Sequence, residues 1–267
     1  MSLRSLKLAG LFSLIAMLTA CGGMTAGFSA GMQTNSTATA TEAERPTQTF
    51  SSAHFVFHYT SLDANNIAAT AARVEADYTR ILEDLGADNM PPVHVTLYPD
   101  HRQFELATTA LAGYTPSWTV GLVTSQTAIH IMSPNLPQWG SYNSVVNNIV
   151  HEFVHCVSMH VNGTIANHPR WIWESVAIYE SGQFIDPHTL GYMTAHQPPT
   201  FAQLDSIDDT RTYQIGYTIA EYIAVTYGPK ALHEMVLHNG DTQMVLGLPQ
   251  SQFEQQWFDW VRQKYGV

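Results

Sequence analysis

The chain has 267 residues, with 11 Lys and Arg against 22 Asp and Glu, for a formal charge of −11. This length has room for one large domain or two small ones, with a sizeable core. The acidic balance is unbroken by any basic cluster, which argues against nucleic acid and other polyanions as partners.

Read from the start, Arg4 and Lys7 precede an uncharged apolar run from Leu8 to Leu18. The run falls well short of the roughly 20 residues that a membrane-spanning helix needs. It has instead the length and flanks of a secretory signal. The tetrapeptide Leu18-Thr19-Ala20-Cys21 resembles the bacterial lipobox, in which the cysteine receives the lipid. Residues 1–20 are therefore expected to be a lipoprotein signal peptide, and Cys21 the anchor to a membrane surface of the bacterial cell envelope. Gly22 resembles lipoproteins sorted to an outer membrane, although the sequence leaves inner and outer open. The chain has 2 cysteines, and lipidation of Cys21 leaves Cys156 as a single thiol, so no disulfide is expected. Residues 21–50 are rich in Gly, Thr, Ser and Ala without an apolar period, and read as a flexible tether.

The folded body is expected over 51–267. "SAHFVFHYT" (52–60) alternates and is rich in aromatic residues, which predicts a strand. From Asp63 to Leu85, Ile67, Ala71, Val74, Tyr78, Ile81, Leu82 and Leu85 recur at helical spacing, and Gly86 ends the helix. A second strand follows between prolines at 91–100. Residues 118–134 predict a hairpin turning at Ser125-Gln126, with Ile129 and Ile131 on one face. After Pro137 the period is helical to the end. The fold class this implies is α+β in one domain: an N-terminal mixed sheet with helices, then a helical C-terminal half.

"NNIVHEFVHCVSMHVNG" (147–163) contains His151-Glu152-x-x-His155. At 100° per residue the two histidines lie about 40° apart on a helix and Glu152 about 100° from His151. Two imidazoles can then bind one Zn²⁺ while the glutamate reaches water at the metal. Val145, Ile149, Val150, Phe153, Val154 and Val157 fill the opposite arc, which predicts a mostly buried helix. This composition, with 13 His in the chain, yields the spacing by chance in roughly 2–3% of shuffles, so a third ligand must be found. A histidine downstream in the same helix fails, because Ser158 and Val161 stand where Gly and His are needed. His160 lies about 180° from His151 and cannot share its metal. Glu174, in "HPRWIWESVAIYESG" (168–182), follows His155 at a distance that accommodates a turn and an antiparallel second helix.

His151-Glu152-x-x-His155 followed by Trp171-x-x-Glu174-x-x-Ala177-x-Tyr179 resembles the gluzincin metallopeptidases, in layout the compact peptidase MA-like group. The helix pair is also similar to that of the M1 aminopeptidases. The resemblance spans residues 51–262, weakly outside the motifs, and departs from the family at Ser175, where glycine is usual. It implies a gluzincin-like zincin fold and one Zn²⁺ held by His151, His155 and Glu174. Glu152 is then the general base on water that attacks a peptide or protein substrate. Tyr213, in Tyr213-Gln214-Ile215-Gly216, resembles the M1 tyrosine that stabilises the oxyanion; Tyr217, one turn on and on the same face, is the alternative. No residues for capturing a free N-terminus are identifiable, which favours an endopeptidase. The strand at Ala128–Met132 is expected to offer a free edge to extended peptide. His168 is a weaker candidate for substrate contact. Two other readings compete: an inactive zinc-binding or scaffold lipoprotein, and a structural envelope lipoprotein with a chance motif. Glu152, which metal binding alone does not require, argues against the first, and Glu174 against the second.

Overall fold

The computed structural model describes residues 44–228 and 230–267. The expected signal peptide and the expected lipid anchor at Cys21 lie outside the described residues. In chain order the first half is β1 (Gln48–Ser51), β2 (Phe55–Tyr59), α1 (Ile67–Asp84), β3 (Val93–Tyr98), α2 (His101–Ala112), β4 (Gly121–Ser125) and β5 (Ala128–Met132). Helices make up the second half: α3 (Tyr142–Val161), α4 (Arg170–Glu180), α5 (Gly191–Thr194), α6 (Phe201–Leu204), α7 (Thr212–Tyr227), α8 (Lys230–Leu237), α9 (Thr242–Leu246) and α10 (Gln250–Tyr265). The protein is thus mixed α/β, with a sheet on its N-terminal side and a helical C-terminal half. No helix of the described residues is long and apolar enough to cross a membrane.

The five strands lie in the order β1-β2-β3-β5-β4. β2 with β3 and β3 with β5 are parallel, while β1 with β2 and β4 with β5 are antiparallel. Alternation along the strands decides the faces. Phe55, Phe57, Val93, Val95, Leu97, Ile129 and Ile131 point inward and are buried. Against them lie the apolar stripe of α1, from Ile67 to Leu82, and the middle of α3. Phe153 of α3 is the wedge, its ring 5.0 Å from Phe55 and 5.4 Å from Tyr78. Burying a side chain of that size contributes about 1.5–3 kcal/mol. α3 is accordingly almost wholly buried from Val145 to Met159.

Three expectations need correction. The strand Ala128–Met132 is no free edge: β5 pairs with β3 on one side and β4 on the other, and β4 forms that border of the sheet. The hairpin folds outward from β5 because β3 already occupies its other side. The ordered body also begins before residue 51. Gln48–Ser51 pairs with β2, and the Glu44 carboxylate accepts from the Ser61 backbone N–H at 3.0 Å. Four strand residues without an apolar run give little periodicity to read. Finally, 91–100 is not all strand: Asp100 caps α2, accepting from the Gln103 N–H at 2.9 Å. α2 lacks an apolar stripe, since it buries only Phe104 and Thr108 and leaves Leu106 and Leu111 exposed.

Candidate metal centre

α3 and α4 run antiparallel, so that the C-terminal end of α4 meets the first half of α3 and their middles face each other. The side chains of His151, His155 and Glu174 meet there, all fully buried. The two Nε2 atoms are 3.0 Å apart, and Glu174 Oε2 lies 3.2 Å from His151 Nε2 and 3.5 Å from His155 Nε2. Tetrahedral ligands at 2.0–2.2 Å from Zn²⁺ stand about 3.3–3.6 Å from one another. Only the His155–Glu174 distance falls in that interval and the other two are 0.1–0.3 Å short of it, so a small outward movement of His151 completes three corners of such a shell; the three form a potential metal-binding group.

The surroundings prepare these donors. Gln183, just past α4, donates through Nε2 to Asn148 Oδ1 at 2.6 Å, which turns its Oε1 toward His151 Nδ1 at 3.0 Å. A carbonyl oxygen can only accept, so His151 carries its proton on Nδ1 and presents the Nε2 lone pair to the centre. His155 lies flat against Trp173, ring centroids 4.0 Å apart, and burial pushes it down to about 4. Burial alone would raise Glu174, but the close approach of the His151 and His155 rings and, beyond them, the Arg170 guanidinium hold it below the usual carboxylate range. Neutral imidazoles and an ionised carboxylate are the forms that bind metal.

Glu152 is different. It too is fully buried, but neither carboxylate oxygen has a hydrogen-bond partner. Burial, and next the charge of Glu174, raise it well above the ordinary value. A buried carboxylate without partners is costly, and this one lies next in the helix to His151, beside the convergent donors. Its neighbour is the edge strand: a Cβ at Gly121 would stand 3.0 Å from Glu152 Oε1. The glycine keeps β4 close to the carboxylate.

The two tyrosines separate clearly. The Tyr213 hydroxyl donates to Glu174 Oε1 at 3.2 Å, the oxygen turned away from the histidines. Tyr217, one turn later, packs between Tyr179 and Phe184, each ring 5.1 Å away. Tyr213 is thus in the site and Tyr217 is engaged in a neighbouring aromatic cluster. Gly216 lets α7 approach α4, where an added Cβ would come within 3.2 Å of Ser175 Cα. Ser175 itself turns back, donating to the Trp171 carbonyl at 2.6 Å, and is accommodated in place of glycine. His160 lies in the last turn of α3, His168 is exposed before α4, and Cys156 is a buried free thiol.

Sequence reasoning passed over four contributors: Gly121, Asn148, Gln183 and Arg170. Arg170 is buried, and its Nη1 donates to the carbonyls of Leu204, Ser206 and Asp209, each at 3.1 Å. Its Nε lies 3.9 Å from Glu174 Oε1 and its guanidinium 5.0 Å from the Tyr213 ring centre. It therefore ties the turn leading into α7 to the Glu174 carboxylate. A cation one turn before Glu174 in an otherwise apolar helix was the available signal for it; Gln183, in a loop, had none. No known family model matches the chain, and no curated protein matches it in sequence.

Proposed function

We propose that the protein is a metal-dependent hydrolase. More particularly, it is a zinc peptidase of gluzincin type, peptidase MA-like in layout, acting as an endopeptidase at the bacterial cell envelope and tethered there through lipid on Cys21. The observation that carries this reading is Glu152: a buried carboxylate with no partner, beside three convergent metal donors and against the border strand of the sheet.

His151, His155 and Glu174 would hold the ion. Bound there, Zn²⁺ supplies a Lewis acid that polarises a scissile carbonyl and acidifies water. Glu152 takes a proton from the attacking water and delivers it to the leaving amine nitrogen. Tyr213 provides the hydroxyl that stabilises the developing oxyanion. β4, as the border strand beside Glu152, takes an extended peptide as an added strand, so that recognition runs mainly through the substrate's main chain. Gln183 and Arg170 keep His151 and Glu174 in place.

The test is the metal content and casein- or peptide-hydrolysing activity of the chain beside Glu152→Gln. We expect one zinc per chain in both proteins, with turnover falling by about 10²–10⁴-fold in the variant. Zinc in both proteins without turnover in either would favour the inactive zinc-binding lipoprotein. A folded chain that takes up no zinc would overturn the reading altogether.

A further inference from the structure

Among the described residues, ring nitrogen meets ring nitrogen in two places. One is His151 with His155; the other is His58 Nε2 with His94 Nδ1, 3.1 Å apart. The second pair stands on the opposite face of the sheet. His58 alternates with Phe57 on β2, and His94 with Val93 and Val95 on β3, and those neighbours point into the core beneath α1 and α3. The strands are parallel, with His58 beside Thr96 and Val56 beside His94, so the imidazoles reach each other along a diagonal. Their planes are within 8° of each other.

We propose that His58 and His94 form a second transition-metal site, a two-imidazole chelate for a borderline divalent ion, with Cu²⁺ preferred. Two nitrogens bound cis at about 2.0–2.1 Å stand about 2.8–3.4 Å apart; here the rings meet head-on as a hydrogen bond, nitrogens 3.1 Å and centroids 5.4 Å apart, so an ion displaces the shared proton and turns both imidazoles to converge on it. Access is open: His58 is half-buried and His94 exposed. Among the described residues no carboxylate is paired with either ring. His54 is paired with Glu75 at 2.7 Å and His238 with Glu234 at 3.4 Å, whereas the partners in register with His58 and His94 are Thr49, Thr96, Val56 and Ala128. His130, on the same face, is already engaged by Tyr98 Oη at 2.8 Å and Thr124 Oγ1 at 3.1 Å. Among the described residues no third His, Cys, Asp or Glu joins the pair, so water completes the shell and the site is weaker than the buried one. With imidazole ligands alone, the affinity order puts Cu²⁺ above Ni²⁺ and Zn²⁺.

The experiment is a Cu²⁺ titration of the full chain, read by bound-metal stoichiometry and by the nitrogen hyperfine pattern in electron paramagnetic resonance. His58→Ala, His94→Ala and His151→Ala are titrated alongside, and their melting curves report whether each variant is folded. Two equivalents are expected in the parent chain, the weaker showing two equatorial nitrogens. Either outer-face substitution removes that equivalent and leaves the melting temperature unchanged. His151→Ala removes the tighter equivalent and leaves the weaker, so failure of the buried centre reads separately from failure of this one. A single equivalent in the parent, or a second equivalent unchanged in both outer-face variants, overturns the proposal.

Discussion

A histidine pair lies on either side of the sheet at nearly the same spacing, 3.0 Å between two residues of α3 and 3.1 Å between β2 and β3 on the outer face, yet the two differ in almost everything else. The inner pair is fully buried, has Glu174 as a third donor, has one tautomer set by Gln183, and sits beside an unpartnered base. Its outer counterpart meets water and has threonines for neighbours. Equal spacing therefore does not make the two sites equivalent. Burial of the inner pair among α3, α4 and α7 excludes water, so that each charge left inside acts strongly on the next.

This contrast can be broken most forcefully at the wedge that encloses the inner face. Phe153→Ala should cost about 3–5 kcal/mol in chemical denaturation, because Phe55 and Tyr78 lose the ring between them. A cost near zero would mean that the inner face does not depend on this packing. Next in size, Tyr213→Phe should lower kcat by about 10²–10³-fold under the proposed mechanism. Tyr217→Phe should leave kcat within about twofold, since it keeps the ring between Tyr179 and Phe184 and removes a hydroxyl that does not reach Glu174; steady-state kinetics on one peptide substrate decides between them. Gln183→Leu removes the acceptor on His151 Nδ1 and should weaken zinc binding about 10–100-fold, measured by competition with a chelating dye. An unchanged affinity would show that the tautomer is set otherwise. The smallest effect belongs to the outer face. Leu106→Ser on α2, a side chain 64% exposed, should shift stability by no more than about 0.5 kcal/mol.

The legibility of these elements followed the strength of their periodicity. α1 could be read from its repeating apolar positions, and α3 from a buried arc opposite the two histidines. β2, β3 and the hairpin showed alternation, with the turn falling at Gln126-Thr127, one residue later than expected. α2 went unread because its apolar residues face both the sheet and solvent, and β1 because it is short and lies at a border. Within the candidate site, His151, Glu152, His155 and Glu174 were legible from spacing, since a helix converts fixed intervals into a shared face. Strand order was not, and with it went the identity of the free edge. Pairing between β3 and β5 skips the strand between them in sequence, and no local pattern encodes that choice.

What the sequence determined by itself was local: which segments are helix or strand, and which donors an antiparallel helix pair brings together. Tertiary structure alone decided that Tyr213 rather than Tyr217 reaches Glu174, that Gln183 from a loop orients His151, and that Gly121 sets β4 against Glu152. It alone joined His58 to His94 across two strands separated by a helix. The reason is that helical and strand periods act over a few residues, whereas these contacts form only when distant segments are packed against the same core.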